Sequence, residues 1–327
     1  SGKSNIIQSI AITSQIAKEA PYAALTLPQH LESDTAEYYK YPKPSVEFLV
    51  YKGELDREIT IEVHVESGIS KRSIGYSIRY TSDPLKTEQI IFLNRNPMFH
   101  VSYIISKETE HSVFIRPSRW REQQTKLPAN FLLRPDCFVP LKETEDKKKR
   151  ALDLRVRNIA YKLANELAKE LAKAYLISAP RGIIPIETKM GPDPTWIGKE
   201  GQNLIYILSK IYGQSKYKSI QQKISNWSEK FGIGYITAGL KKGSILGADF
   251  EDPRLKKIFD MASASYGSRQ LLTMITQIFW SNPGDTLLIE EPEISLHPES
   301  QVLILELFAE AVRERKQIMC TTHSPFF

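Results

Sequence analysis

The chain opens on Gly2-Lys3-Ser4, the closing residues of the phosphate-binding pattern G-x-x-x-x-G-K-[ST]. The chemistry of that pattern is phosphate cradling. Backbone N–H groups and the helix dipole face the phosphates, the lysine reaches the β and γ groups, and the serine hydroxyl ligates Mg²⁺. At the other end, the apolar run Thr286-Leu287-Leu288-Ile289 stops at two adjacent carboxylates, Glu290 and Glu291, and then Pro292. Proline has no N–H for a sheet ladder, so the pair is predicted to close a strand. In open α/β sheets the carboxyl ends of the strands are where ligands bind.

A second apolar stretch, Ile318-Met319-Cys320-Thr321-Thr322, leads to His323. Between the two, Ile294 to His297 reads as a turn, and Pro298 opens a helix with apolar Val302, Leu303, Leu305, Leu307, Phe308 and Val312. Strand, helix and strand make a right-handed crossover, which brings Glu290, Glu291 and His323 to one sheet edge. Taken singly, an acidic pair is a solvated turn and a lone histidine a hydrogen-bonded structural residue; the crossover is what joins them. A further segment, Ala262-Ser263-Ala264-Ser265-Tyr266-Gly267-Ser268-Arg269-Gln270, precedes a helix carrying Leu271, Leu272, Ile275, Ile278 and Phe279. Small residues at a helix N-terminus serve as an N-cap or as an anion site, and both readings stay open here.

These groups need a scaffold, and the periodicities supply one. Ile6, Ile7, Ile10, Ala11 and Ser14 recur at helical spacing directly after Ser4, and the helix is predicted to fade near Pro21. Pro28, Pro42 and Pro44 mark a loop. From Ser45 to Arg116 the apolar period drops to two, with candidate strands at Val46–Val50, Ile59–Val65, Ile74–Tyr80, Ile90–Leu93, Phe99–Ile105 and Ser112–Ile115, an antiparallel meander. Leu152, Val156, Ile159, Leu163, Leu167 and Leu171 then describe a long amphipathic helix behind the charge run Lys142 to Arg150. Tyr175 to Ala179 reads as a short strand, and Gln202 to Lys230 as a helical region broken at Gly213. Tyr235–Leu240 and Ser244–Ala248 read as a hairpin turning at Lys241-Lys242-Gly243.

Composition bounds the rest. In 327 residues, 41% are hydrophobic and 25% charged, a folded globular balance that excludes wholesale disorder. The 44 Lys and Arg against 38 Asp and Glu leave a net charge of +6, which favours meeting a polyanion. The two cysteines, Cys137 and Cys320, fit no ligand spacing, so neither a zinc site nor a disulfide framework is expected. No run approaches the roughly 18 apolar residues of a membrane span, and no basic-then-hydrophobic leader is visible, so the expectation is a cytoplasmic protein without a membrane partner.

The ordered series Ser-Gly-Lys-Ser-Asn at residues 1–5, Ser-Tyr-Gly-Ser-Arg-Gln at 265–270, Leu-Leu-Ile-Glu-Glu-Pro-Glu-Ile-Ser-Leu-His-Pro at 287–298 and Thr-Thr-His-Ser at 321–324 resembles the ABC-type ATPase heads of the SMC, RecF and OLD group, most closely the OLD-like AAA-type ATPases. Ala179-Pro180-Arg181-Gly182 and Ile197-Gly198-Lys199-Glu200-Gly201-Gln202 also look like recurring OLD-type segments. The resemblance implies an α/β fold, a P-loop ABC-type ATPase head with an antiparallel β subdomain and an inserted helical arm. The expected division is 1–135 for the P-loop helix and β subdomain, 136–230 for the helical arm, and 231–327 for the lobe bearing the signature, Walker B and switch histidine.

It further implies roles. Gly2, Lys3, Ser4 and Asn5 would bind ATP, with Lys3 on the β and γ phosphates and Ser4 on Mg²⁺. Glu290 would hold the metal in the Walker B position, Glu291 would polarise the attacking water, and His323 would sense the γ-phosphate. Ser265 and Gly267 would cap the γ-phosphate of a nucleotide bound to the opposing subunit, so that ATP sandwiched between heads makes a homodimer. Three features depart from the pattern. Glu replaces Asp at 290, Tyr266 stands where transporter signatures carry Gly, and the glutamine that links the lobes has no assigned position, although Gln89 is available. The expected function is an ATPase in DNA repair or antiviral defence, with DNA as a partner. The alternative is a nucleotide-gated module controlling a separate effector such as a nuclease; an OLD-type Toprim nuclease is not expected within residues 1–327.

Overall fold

In the computed structural model, the described residues are 6–11, 13–14, 59–66, 72–82, 85–104, 111–115, 123–124, 159, 162–179, 181, 188–189, 191, 193–252, 255–325 and 327. The expected strand at Val46–Val50, the Lys142 to Arg150 run and Gly2 to Asn5 lie outside them. The chain divides into two compact units, Ser1–Ala11 with Lys173–Phe327, and Ile12–Ala172.

The Ile12–Ala172 unit holds a six-stranded antiparallel sheet in sequence order: β1 (Ile59–Glu66), β2 (Ser73–Ser82), β3 (Leu85–Leu93), β4 (Asn96–Ile104), β5 (His111–Ile115) and β6 (Gln123–Gln124). Alternating Ile74, Tyr76 and Ile78 of β2 are fully buried, as period-two patterning requires of a strand facing a core. Gln89 of β3 is buried beside them and accepts the Tyr76 hydroxyl at 3.0 Å. Strands β3 and β4 meet through a two-residue turn, Asn94-Arg95, with φ of +49° and +65°. That left-handed pair matches the twist of a tight hairpin, and asparagine tolerates it better than most residues. Helical residues 162–171 turn Leu163, Leu167 and Leu171 inward at the predicted spacing.

The unit formed by Ser1–Ala11 and Lys173–Phe327 begins with helical residues 6–11 and continues with β7 (Ala174–Ile177) and β8 (Thr188–Lys189). Then come α1 (Leu204–Gly213), α2 (Lys218–Lys230), β9 (Tyr235–Lys242), β10 (Ile245–Asp252) and β11 (Lys257–Asp260). The order ends α3 (Tyr266–Trp280), β12 (Thr286–Glu290), α4 (Pro298–Arg313) and β13 (Gln317–Thr321). The helical region breaks after Gly213, where Gln214 turns extended. The β9–β10 hairpin turns at Gly243-Ser244, because Gly243 at φ +58° accepts the positive dihedral a two-residue loop needs, and the strand therefore runs on through Lys242.

Two sheets organise this unit. β9, β10, β11 and β8 form an antiparallel sheet around β10. β7, β12 and β13 form a parallel one with β12 in the middle, Thr286 pairing with Ala174 on one side and Gln317 on the other. The apolar run in β12 follows from that position, since a parallel strand is covered on both faces. Leu287 and Ile289 join the main core with Leu272, Ile275 and Ile278 of α3, whereas Leu288 faces Ile7 and Ala174. Each such side chain, fully removed from water, contributes about 1.5–3 kcal/mol before entropy is counted. The architecture is thus mixed α/β with antiparallel sheets, and among the described residues no helix is long and apolar enough to cross a membrane.

Candidate functional site

Strand β12 carries its pairing to Glu290, which lies opposite Thr321 of β13, and Pro292 then takes the chain out of the sheet. Glu290 is buried at 7% exposure, so its carboxylate must find partners within the protein. One oxygen, Oε1, accepts the Gln8 side-chain amide at 3.0 Å, and Oε2 accepts the backbone N–H of Ala179 at 3.4 Å. The N-terminal helical segment and the end of β7 therefore converge on the last residue of the central strand.

Glu291 adopts φ +43°, a left-handed backbone that costs a non-glycine residue about 1–2 kcal/mol. Two neighbours hold it there. Its N–H donates to the Thr321 carbonyl at 2.9 Å, and its own carbonyl accepts Nη2 of Arg181 at 2.8 Å. Arg181 is fully buried, and its Nη1 reaches the carbonyls of Glu290 at 2.6 Å and Ser178 at 3.2 Å. Burial lowers the Arg181 pKa to about 10; Tyr266, Glu293, Glu290 and Glu291 pull it back upward, so the guanidinium stays charged at neutral pH.

The crossover delivers His323 beside this pair. β12 and β13 run parallel with α4 between them, and Nε2 of the exposed His323 lies 3.7 Å from Oε1 of Glu291. That distance is too long for a direct hydrogen bond. The loop bearing the histidine is fixed by Glu293. A single oxygen, Oε1, accepts the Thr322 hydroxyl at 2.8 Å, the His323 N–H at 2.7 Å and the Ser324 N–H at 3.1 Å. Burial pushes the Glu293 pKa up, but these donors outweigh it and hold the carboxyl below its ordinary value. Ser324 is tied further, its hydroxyl donating to Gln301 Oε1 at 2.6 Å.

Ser265 and Gly267 sit at the start of α3. The Ser265 hydroxyl accepts the Ser268 N–H at 3.1 Å, so the N-cap alternative is realised in this structure. Gly267 is a place of close approach, because a Cβ there would stand 2.9 Å from the Ser295 carbonyl oxygen, in the loop that follows β12. The start of α3 thus rests on the backbone leading away from Glu290 and Glu291. The segment 197–202 is also built by tight turns, with Gly198 at φ +85° and Gly201 at +92°. Its Lys199 carbonyl accepts both the backbone N–H and the hydroxyl of Ser178, at the end of β7.

Of the residues singled out in the sequence, the structure brings Glu290, Glu291 and His323 together at one sheet edge. It sets Ser265 and Gly267 at one helix start, while Gly2, Lys3, Ser4 and Asn5 are outside the described residues. Gln89 belongs to the meander, engaged with Tyr76. Sequence reasoning missed Gln8, Glu293 and the role of Arg181. Glu293 had one available signal, an acid two residues beyond the carboxylate pair. A charged side chain reads as solvent-exposed until the fold shows what covers it.

A model of the family described as "AAA domain, putative AbiEii toxin, Type IV TA system" matches residues 1–327. No curated protein matches the chain. Among solved structures, the chain is similar to an Smc head bound to the C-winged helix domain of ScpA, at 12% identity and a TM-score of 0.41, covering 96% of this chain and 79% of that one. It is also similar to an Smc head with an extended coiled coil bound to the C-terminal domain of ScpA derived from Pyrococcus furiosus, at 12% identity and a TM-score of 0.42, covering 98% and 81%.

Proposed function

Since the chain belongs to this family of AAA domains and is an AAA-type ATPase domain, we propose that it binds MgATP as substrate and hydrolyses it to ADP and phosphate in an OLD-like, ABC-type arrangement. The observation that carries this reading is the hydrogen bond from Gln8 to Glu290. Gln8 lies four residues after Ser4 in the sequence, on the helical segment 6–11, so a strand-end carboxylate is tied to the helix that follows the phosphate-binding pattern.

Glu290 suits a hard cation. Among the described residues each of its oxygens accepts one hydrogen bond, and a carboxylate has about four lone-pair sites, which leaves room for a metal-bound water or the ion itself. Ser4 and Glu290 would hold Mg²⁺, which supplies charge neutralisation across the phosphates. Gly2, Lys3 and Asn5 would bind the phosphates. Glu291 would orient and polarise the water, and His323, 3.7 Å away, would sense the γ-phosphate and steady the carboxylate. Phosphoryl transfer asks a protein mainly for such positioning and electrostatics.

Ser265 and Gly267, at the N-terminal start of α3, would complete the site of a second copy, so that ATP joins two heads and hydrolysis releases them. DNA repair or defence against foreign DNA is the process this cycle would serve, and the net charge of +6 supports contact with a polyanion. A second reading makes the ATP cycle a gate for a separate effector protein, and the toxin–antitoxin wording of the family description supports it.

The test is ATP turnover by the purified protein, with and without duplex DNA, over a salt series. Turnover abolished by Lys3→Ala and raised by DNA at low salt is the expected result. No turnover under any condition sinks the ATPase reading. Turnover without any response to DNA leaves the effector gate as the surviving reading.

A further inference from the structure

The clamp that Arg181 makes on the backbone of the carboxylate pair has no assigned role, and its geometry is unusual for a structural residue. The guanidinium is fully buried and, among the described residues, makes no hydrogen bond to a carboxylate. All its described hydrogen bonds go to main-chain carbonyls, those of Ser178, Glu290 and Glu291, and its Nε is buried without a partner among the described residues. A charge buried in this way is expensive, and well-packed apolar side chains often do better where stability alone is at stake. What the arginine does that an apolar residue cannot is grip two consecutive carbonyl oxygens with the two arms of one rigid fork.

The gripped peptides flank the residue in the left-handed backbone. Glu291 at φ +43° is held by Arg181 through its carbonyl and by Thr321 through its N–H. Such a backbone persists only where its surroundings over-determine it. The direction in which the Glu291 side chain leaves the chain, and hence its 3.7 Å approach to His323, depends on that dihedral.

We infer that Arg181 is a positioning residue for hydrolysis: by fixing the carbonyls of Glu290 and Glu291 it sets the Glu291 carboxylate at the distance and angle the attacking water requires. The inference rests on the ATPase reading for its catalytic half, while the clamp itself stands on geometry. Arg181 is sealed from solvent and acts through the backbone of Glu291.

Arg181→Lys keeps the charge but cannot span both carbonyls, and Arg181→Gln keeps paired N–H donors without the charge or the reach. Each is compared in the intact protein with Glu291→Gln and with the double variants, by ATP turnover, nucleotide affinity and amide hydrogen exchange. A displaced catalytic group costs on the order of 100-fold, so Arg181→Lys is expected to lower kcat by about that much while ATP affinity stays within about threefold. In the Glu291→Gln background, Arg181→Lys is expected to lower turnover no further, because the two changes remove one function. Exchange at the Glu291 N–H is expected to rise while α3 stays protected.

A kcat within twofold of the unaltered protein, a raised KM at unchanged kcat, or multiplying effects in the double variant would overturn the inference. Unchanged exchange at Glu291 overturns the clamp even in a protein without turnover. An unaltered protein that fails to hydrolyse ATP sinks the ATPase reading instead. If Arg181→Lys does not fold, Arg181→Gln carries the same comparison, and failure of both to fold assigns the arginine to stability and overturns the catalytic inference.

Discussion

The carboxylate of Glu293 holds the backbone N–H of His323 at 2.7 Å, so the loop after β12 and the loop after β13 are one hydrogen-bonded body. Glu293→Ala removes the acceptor of three donors at once. Bonds to a charged acceptor contribute about 1.5–3 kcal/mol each when well buried, and this site is only partly shielded, so a net loss of about 2 kcal/mol is expected. A lower urea midpoint at unchanged m-value checks it.

The same carboxyl makes stability depend on pH. Its folded pKa lies below the ordinary 4.5, so the unfolded chain binds the proton more readily. The contribution is therefore complete above pH 4.5 and disappears as pH falls through the depressed folded value. The stability gap between the unaltered protein and Glu293→Gln is expected to be constant from neutrality down to about pH 5 and to shrink below it, as read by denaturation at stepped pH.

Glu291→Gln keeps the shape of the side chain and removes the charge that would polarise water. The expected protein binds ATP, stalls before hydrolysis with turnover down by about 10²–10⁴-fold, and accumulates as a dimer in size-exclusion chromatography with ATP. Turnover at the normal rate would refute the assigned role.

Ser265 separates a helix-cap role from a nucleotide role. Aspartate caps a helix about as well as serine and suits the positive end of the dipole, so Ser265→Asp is expected to leave the unfolding free energy unchanged within about 0.5 kcal/mol. Its negative charge would repel the phosphates of a nucleotide on the opposing copy, and ATP-dependent dimerisation is expected to be lost. Retained dimerisation would confine Ser265 to capping.

Gly267→Ala places a methyl 2.9 Å from the Ser295 carbonyl oxygen, an atom that moves only with its backbone. Overpacking of this kind costs about 1–3 kcal/mol. Gly239→Ala, with nothing within 4 Å, is the control and is expected to change the thermal midpoint little.

Much of this site was legible before the fold was known, for a physical reason. The run Thr286 to Ile289 and the stretch Ile318 to Thr322 are unbroken apolar segments joined by a helix of period 3.6, and chain handedness leaves one way to lay them side by side. Glu290, Glu291 and His323 followed from that pattern. The meander was legible from its period of two, although β3 begins at Leu85, five residues before the alternation becomes visible at Ile90. Arg181, Gln8 and Glu293 were not legible in their roles. Arg181 was noticed inside Ala179-Pro180-Arg181-Gly182, yet nothing in four letters says that a guanidinium is sealed from water and bonded to carbonyls a hundred residues away. Gln8 is a polar residue among the apolar positions of its helix, and its partner is set by tertiary structure alone.

The central place of β12 has one more consequence. Glu290 ends a strand bonded to β7 on one flank and β13 on the other, so displacing it means shearing two ladders together. Among the described residues β13 has a single neighbour, and the histidine hangs from its end. The paired carboxylates are thus anchored on both flanks, and His323 meets them from the end of one of those two ladders.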